Sequence, residues 1–225
     1  MSACVSAVSR AILRRLRDAP EAGTRLIAVT GGVAVGKSVF ARALRRALLR
    51  QVTEPVEIVT SDGFLRADAD LESAGLRERK GYPESYDHAG LEAFFAAMRA
   101  RAPELVVPVY SHSTRGVVDH RRFATPRWLI LEGVYALQPA RASGLPCCSI
   151  YLDADVSDVR AWYLERFMRI HGWRFATTTD AEQHARQLYE RVNYQNLVEC
   201  IAPLRSQADI VLVRKAGGQW RLQGR

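Results

Sequence analysis

The chain is expected to fold as an α/β protein with a central, mostly parallel β-sheet and helices on both faces. Three observations predict this. Short apolar runs alternate with helix-period patterns along the 225 residues, as consecutive strand and helix units do. Residues Gly31 to Ser38 read GGVAVGKS, directly after an apolar run and directly before a helix-forming stretch, which is where a phosphate-binding loop belongs. Apolar residues make up 48% of the chain, enough for a core on both sides of a sheet at a length that suits one domain. The expected organisation is a single domain over 1–225, with a helical lead-in over 1–24.

The elements follow in chain order. Residues 5–17 have helical spacing, and Leu26-Ile27-Ala28-Val29 centres a first strand over 25–30. Gly31 then turns the chain sharply off the strand, and Gly36 lets backbone N–H groups approach phosphate oxygens. Lys37 reaches the β and γ phosphates, and the Ser38 hydroxyl can ligate Mg²⁺. A helix over 37–51 points its N-terminus at the same anion. Nucleotide contacts are therefore expected along Gly31, Gly32, Val33, Ala34, Val35, Gly36, Lys37, Ser38 and Val39, and the fold class sharpens to a P-loop NTPase fold. The lysine is informative because the chain otherwise uses arginine almost throughout, with Lys37, Lys80 and Lys215 its only lysines.

A strand over 57–60 ends in Ser61-Asp62-Gly63-Phe64. A carboxylate there, beside the phosphate loop, can take the proton of an attacking hydroxyl or hold the metal; alone, it could equally be a turn residue. A helix over 89–101 and a strand over 105–109 come next, and a strand over 128–131 ends in Glu132-Gly133. Glu132 suits Mg²⁺, directly or through water, against the plainer reading of a salt bridge at a loop edge. Further strands are expected over 149–152 and 210–213, with helices over 156–170 and 181–200. Polar stretches 65–86 and 111–126 read as substrate loops leaving strand ends.

Composition narrows the function classes. No apolar stretch is long enough for a membrane span, and the N-terminus lacks a secretory pattern, so a cytoplasmic location is expected. Cys4, Cys147, Cys148 and Cys200 are too scattered for a zinc or redox motif, and the adjacent pair reads as the start of a buried strand. The net charge of +8 raises the question of nucleic acid. The arginines are spread along helices at spacings that mostly fill a solvated face, with no nucleic-acid motif beside them, which argues against that partner.

The blocks GGVAVGKS, TSDGFL, GLRERKGYPESYD, PVYSHS, LILEGVYALQ, SIYLDA, AWYLERF and VNYQNL together resemble bacterial type I pantothenate kinase, a family within the uridine kinase and phosphoribulokinase group. The resemblance runs from about Arg25 to about Val213. It implies an enzyme that transfers the γ-phosphate of ATP, with Mg²⁺, to the primary hydroxyl of pantothenate, the first step of coenzyme A synthesis. It also implies roles. Lys37 and Ser38 hold the phosphates and metal, Glu132 is the second metal contact, and Asp62 is the general base. Tyr110, His112, Tyr163 and Asn196 contact pantothenate, and Arg166 neutralises the transferring phosphoryl group. Helical spacing independently puts Tyr163 and Arg166 on one face. The residues alone also allow a core role for Tyr163, an ion pair of Arg166 with Glu165 or Glu190, and for Lys80 either a solvated surface charge, the favoured reading, or a role in ordering the connection after Asp62.

Departures from the family are specific. Arg115 stands where a tyrosine of the substrate side is expected, which bears on strict pantothenate specificity. Ile170 replaces an aromatic in the region that receives the pantetheine end of coenzyme A, which argues against coenzyme A as a feedback ligand. Residues 217–219 lack the histidine expected near adenine. Connections are shorter than in the family, which weakens the homodimer that the resemblance implies. The alternatives are a related kinase for uridine or another hydroxylated metabolite, and a decayed nucleotide-binding regulator associated with RNA.

Overall fold

The apolar run after Arg25 becomes the middle of the molecule. The computed structural model describes residues 2–20, 23–111, 113–215 and 217–223. In chain order its elements are α1 (Ser2–Arg15), β1 (Arg25–Gly31), α2 (Lys37–Leu48), β2 (Val56–Thr60), α3 (Asp68–Ser73), α4 (His88–Arg99), β3 (Glu104–Ser111), β4 (Gly116–Ala124), β5 (Trp128–Glu132), α5 (Leu137–Ala142), β6 (Cys147–Ala154), α6 (Val156–His171), α7 (Thr178–Leu188), β7 (Ile210–Arg214) and β8 (Trp220–Leu222). Six strands form one sheet in the order β2, β5, β1, β6, β7, β8. All neighbours are parallel except β7 and β8.

Strand side chains alternate between faces, and β1 shows what each face buries. Ile27 and Val29 join Ile130 and Ile150 beneath Val8 and Ile12 of α1 and Phe40 and Leu44 of α2. Leu26 and Ala28 join Leu129 and Leu131 on the opposite side, against Phe94, Phe95 and Met98 of α4 and Ala140 of α5. Each such Val, Leu or Ile side chain contributes about 1.5–3 kcal/mol when fully buried. This two-sided burial makes the central strands continuous apolar runs. Cys147 and Cys148 open β6, as their apolar neighbours suggested, and all four cysteines are free thiols. Among the described residues no helix is long and apolar enough to cross a membrane.

The structure corrects several expectations. The strand expected over 105–109 does not join the central sheet; as β3 it pairs antiparallel with β4 in a separate ribbon. Most of the polar stretch 111–126 is that second strand. Its side chains are largely exposed, so no burial pattern betrays it. The helix expected over 181–200 ends as α7 at Leu188 and continues in wider, i→i+5 turns over Tyr189–Tyr194 and Leu197–Ile201. The short α3, α5 and β8 carry too few residues for a periodic signal.

Candidate active site

The C-terminal ends of β1, β2 and β5 set the geometry. Glu132 ends β5 and lies in register with Val29 on one side and Thr60 on the other. Its carboxylate is thereby held between the loop that follows β1 and the turn that follows β2. Asp62 was expected on a strand adjoining the phosphate loop, but β5 intervenes. The intervening strand is what brings Glu132 between the other two groups.

In the loop, Gly36 precedes α2 with φ 106°, a conformation that a side chain would oppose. Gly31, Gly32 and Val35 are buried, and Val35 packs into the core beneath the loop. Val33, Ala34, Gly36, Lys37, Ser38 and Val39 line a cleft of about 1180 Å³. That is more than one small ligand normally fills, so there is room for a nucleotide and an acceptor together.

Lys37 Nζ donates to the carbonyls of Gly31 (3.1 Å) and Gly32 (2.8 Å). Burial pulls its ammonium down to about 8, against the attraction of Glu132 and Asp62 and with the help of Arg166. Those four charged groups therefore converge. Ser38 Oγ donates to Glu132 Oε1 at 2.7 Å. Burial raises Glu132 above the ordinary carboxylate range, opposed by Lys37 and by this hydrogen bond. A hydroxyl and a carboxylate in contact make a hard, all-oxygen pair of the kind that Mg²⁺ takes, its remaining ligands being water and phosphate oxygens. Among the described residues no group of three or more His, Cys, Asp or Glu side chains forms a metal cage.

The other half of the cleft is polar and aromatic. Asp62 sits in the tight turn Ser61–Phe64, where its N–H donates to Thr60 Oγ1. The ribbon register shifts between Val109 and Tyr110, and such a bulge re-aims a side chain. Tyr110 lines the cleft; burial, with Asp62 adding to it, pushes its phenol up to about 12. Tyr163 is 8% exposed and packs on Tyr189 with ring centres 5.4 Å apart. Its phenol is also pushed up to about 12 by burial, although Asn193, Arg115 and Arg166 oppose the shift. Both phenols stay protonated and can donate. Asn196 donates to Gly81 O at 2.9 Å, while its buried Oδ1 has no partner among the described residues.

Of the residues singled out in the sequence, Asp62, Tyr110, Glu132, Tyr163, Arg166 and Asn196 all line this cleft together with the loop. His112 lies outside the described residues. Glu190, one of the partners considered for Arg166, instead bonds Arg160 at 2.8 Å. Lys80 is no solvated surface charge: its side chain is 12% exposed, pairs with Asp68, and lies over the Tyr110 ring. Asn193 and Arg214 are among the cleft residues that the sequence reading did not single out. Asn193, within the quoted VNYQNL block, reaches the Tyr163 phenol. Arg214, at the end of β7, donates to Val35 O and stacks on Trp162 at 3.8 Å; its place at the C-terminal end of a parallel strand was the available signal.

Residues 26–217 match the model of the Phosphoribulokinase / Uridine kinase family. Pantothenate kinase of Clavibacter sepedonicus is 41% identical over 213 residues, covering 85% of this chain and 66% of that protein. Pantothenate kinase of Corynebacterium aurimucosum is 40% identical over 205 residues, covering 83% of this chain and 67% of that protein. The chain thus spans about two thirds of the length of these relatives. Among solved structures, a provisionally assigned fructose transport system kinase from Silicibacter sp. TM1040 superposes with TM-score 0.73 at 26% identity, over 86% of this chain and 92% of that one.

Proposed function

The chain belongs to the phosphoribulokinase/uridine kinase family, and from that premise we propose that it transfers the γ-phosphate of ATP to the primary hydroxyl of pantothenate. The observation that carries phosphoryl transfer is the convergence of Lys37, Asp62, Glu132 and Arg166 on one cleft that also presents phenols and amides. The similarity to pantothenate kinases at about 40% identity supports the acceptor.

In this reading the backbone of Gly31 to Val39 and the N-terminus of α2 hold the triphosphate. Lys37 leaves its carbonyl partners to meet the β and γ oxygens. Ser38 and Glu132 would hold Mg²⁺, which would supply charge neutralisation to the phosphates when bound. Tyr110, Tyr163 and Asn196 orient the acceptor so that its hydroxyl faces Asp62, with His112 the further contact that the resemblance implies. Asp62 takes the hydroxyl proton as the acceptor oxygen bonds to the γ-phosphorus and the bond to the β-bridging oxygen breaks, releasing ADP. Arg166 faces the charge that spreads over the transferring group. Catalysis of this kind is mostly positioning and electrostatics.

The test is ADP formation by the purified protein with Mg-ATP, comparing pantothenate, uridine and no acceptor. Stimulation by pantothenate alone is the expected result, and silence with pantothenate would sink the assignment. Arg115 in the cleft wall is the observation favouring a second reading, a kinase of the same family for another hydroxylated metabolite, which turnover of an acceptor other than pantothenate would select.

A further inference from the structure

Among the described residues, Arg115 is one of three non-glycine residues with positive φ, at 61°, a conformation that side chains oppose and that often marks a functional constraint. The surrounding contacts enforce it. The Arg115 N–H donates to Ser111 O at 2.8 Å, and its own carbonyl accepts from Lys80 Nζ at 3.0 Å. Two residues earlier, Ser113 O accepts from Arg174 Nη2 at 2.5 Å. The tip of the β3–β4 ribbon is therefore strapped from both sides, by a lysine in the connection after β2 and by an arginine just after α6.

This strapping puts the Arg115 guanidinium into the cleft wall, on the side of Tyr110 and Tyr163, whose phenols both respond to its charge. Its nearest counter-ion is Asp68, with Nε to Oδ2 at 3.6 Å, and Lys80 already occupies the other oxygen of that carboxylate. Two cations thus share one anion. Among its described residues the cleft is lined by ten Lys or Arg against four Asp or Glu. Two of those acids, Asp62 and Glu132, are committed around Lys37, so the surplus positive charge extends beyond the nucleotide loop into the acceptor half.

Resting on the kinase reading above, we infer that Arg115 is a specificity residue that selects an acceptor carrying a carboxylate in addition to the hydroxyl it phosphorylates. The guanidinium offers its outer N–H groups to that carboxylate as a fork, while Asp68 and Lys80 hold the stem and backbone. A neutral acceptor leaves the surplus charge unmatched. Because Arg115 is partly exposed, the expected discrimination is moderate, about tenfold, equivalent to about 1.4 kcal/mol.

The experiment measures kcat and KM of the full chain for pantothenate and glycerate, each beside its neutral primary amide, with uridine as a neutral acceptor. At least one acid is expected to exceed its amide by about tenfold in kcat/KM, carried by KM. That ratio should fall towards one in Arg115→Gln and in Arg115→Gly, be largely retained in Arg115→Lys, and stay as in the unaltered protein in Arg122→Gln, a surface substitution that removes one charge from the ribbon. Glycine favours the local backbone conformation, so loss in Arg115→Gly is not a folding defect. An acid-to-amide ratio near one, a ratio that survives Arg115→Gln, preferential use of uridine, or no turnover of any acid overturns the inference. Silence with pantothenate beside an Arg115-dependent preference for glycerate overturns the pantothenate assignment alone and leaves the inference standing.

Discussion

Lys37 ties the nucleotide site to pH. Burial favours its neutral amine, whereas bound phosphates favour the ammonium, so the two states of the protein differ in proton affinity. Below about 8 the ammonium is present before nucleotide arrives; as pH rises through that value it must be regained on binding. ADP affinity should therefore fall above about pH 8, with net proton uptake, and both effects should vanish in Lys37→Met. Calorimetric titration in two buffers of different ionisation enthalpy reads this directly, and binding without proton uptake at high pH contradicts it. Asp62 makes a different demand. Asp62→Asn keeps the shape of the turn but removes the base, so kcat should drop by about 100-fold or more while ADP binding stays close to that of the unaltered protein. Near-normal turnover in that variant would show that proton removal needs another group. Lys37, Ser38 and Asp62 were legible because each sits at a fixed offset within a short local pattern. The partners of Lys80 were not, because its Asp68 and Arg115 contacts depend on a connection and a ribbon tip meeting in space.

At the scale of elements, the turn carrying Asp62 is braced by the ribbon carrying Tyr110. Gly63 lies so close to β3 that a Cβ would come within 2.4 Å of Pro108 O. Backbone on both sides cannot yield cheaply, so Gly63→Ala should cost about 1–3 kcal/mol in denaturant unfolding and lower turnover by displacing Asp62 from Tyr110. Unaltered stability would mean that the turn and ribbon are not pressed together. The same elements show why some strands were readable and others not. β1, β5 and β6 are covered on both faces and read as unbroken apolar runs. β3 imitates them, since Val106 and Val109 are apolar but exposed while Leu105 and Val107 are buried; the sequence does not distinguish an apolar residue facing solvent from one facing a helix. The turns after α7 pose a similar difficulty. Tyr189, Leu197 and Ile201 are all buried, so the apolar spacing continues although the helix widens, and Asn193 in the first widened segment and Asn196 between the two both line the cleft.

For the whole molecule, the net charge of +8 is partly concentrated around a cleft suited to polyphosphate. Nucleotide binding to the folded chain alone should stabilise it by about 2.7 kcal/mol at a hundredfold excess over Kd, a rise in Tm of roughly 5–10 °C for a chain of this size. A thermal melt with and without Mg-ADP checks this, and the shift should be lost in Lys37→Met. A melt indifferent to nucleotide would contradict this, whereas a nucleotide-dependent shift with salt-sensitive RNA binding and no phosphorylation of any acceptor would favour the regulator reading. The sequence by itself determined the α/β class, the phosphate loop, and Ser38, Asp62 and Glu132 as candidates, because glycine conformations, apolar runs and carboxylates at strand ends are local properties of the chain. Only the tertiary structure decided that β5 lies between β1 and β2, that β3 and β4 leave the sheet, and that Lys80 reaches Tyr110 and the ribbon tip carrying Arg115. Those outcomes come from burying both sheet faces at once between segments far apart in the chain, a condition that no local pattern encodes.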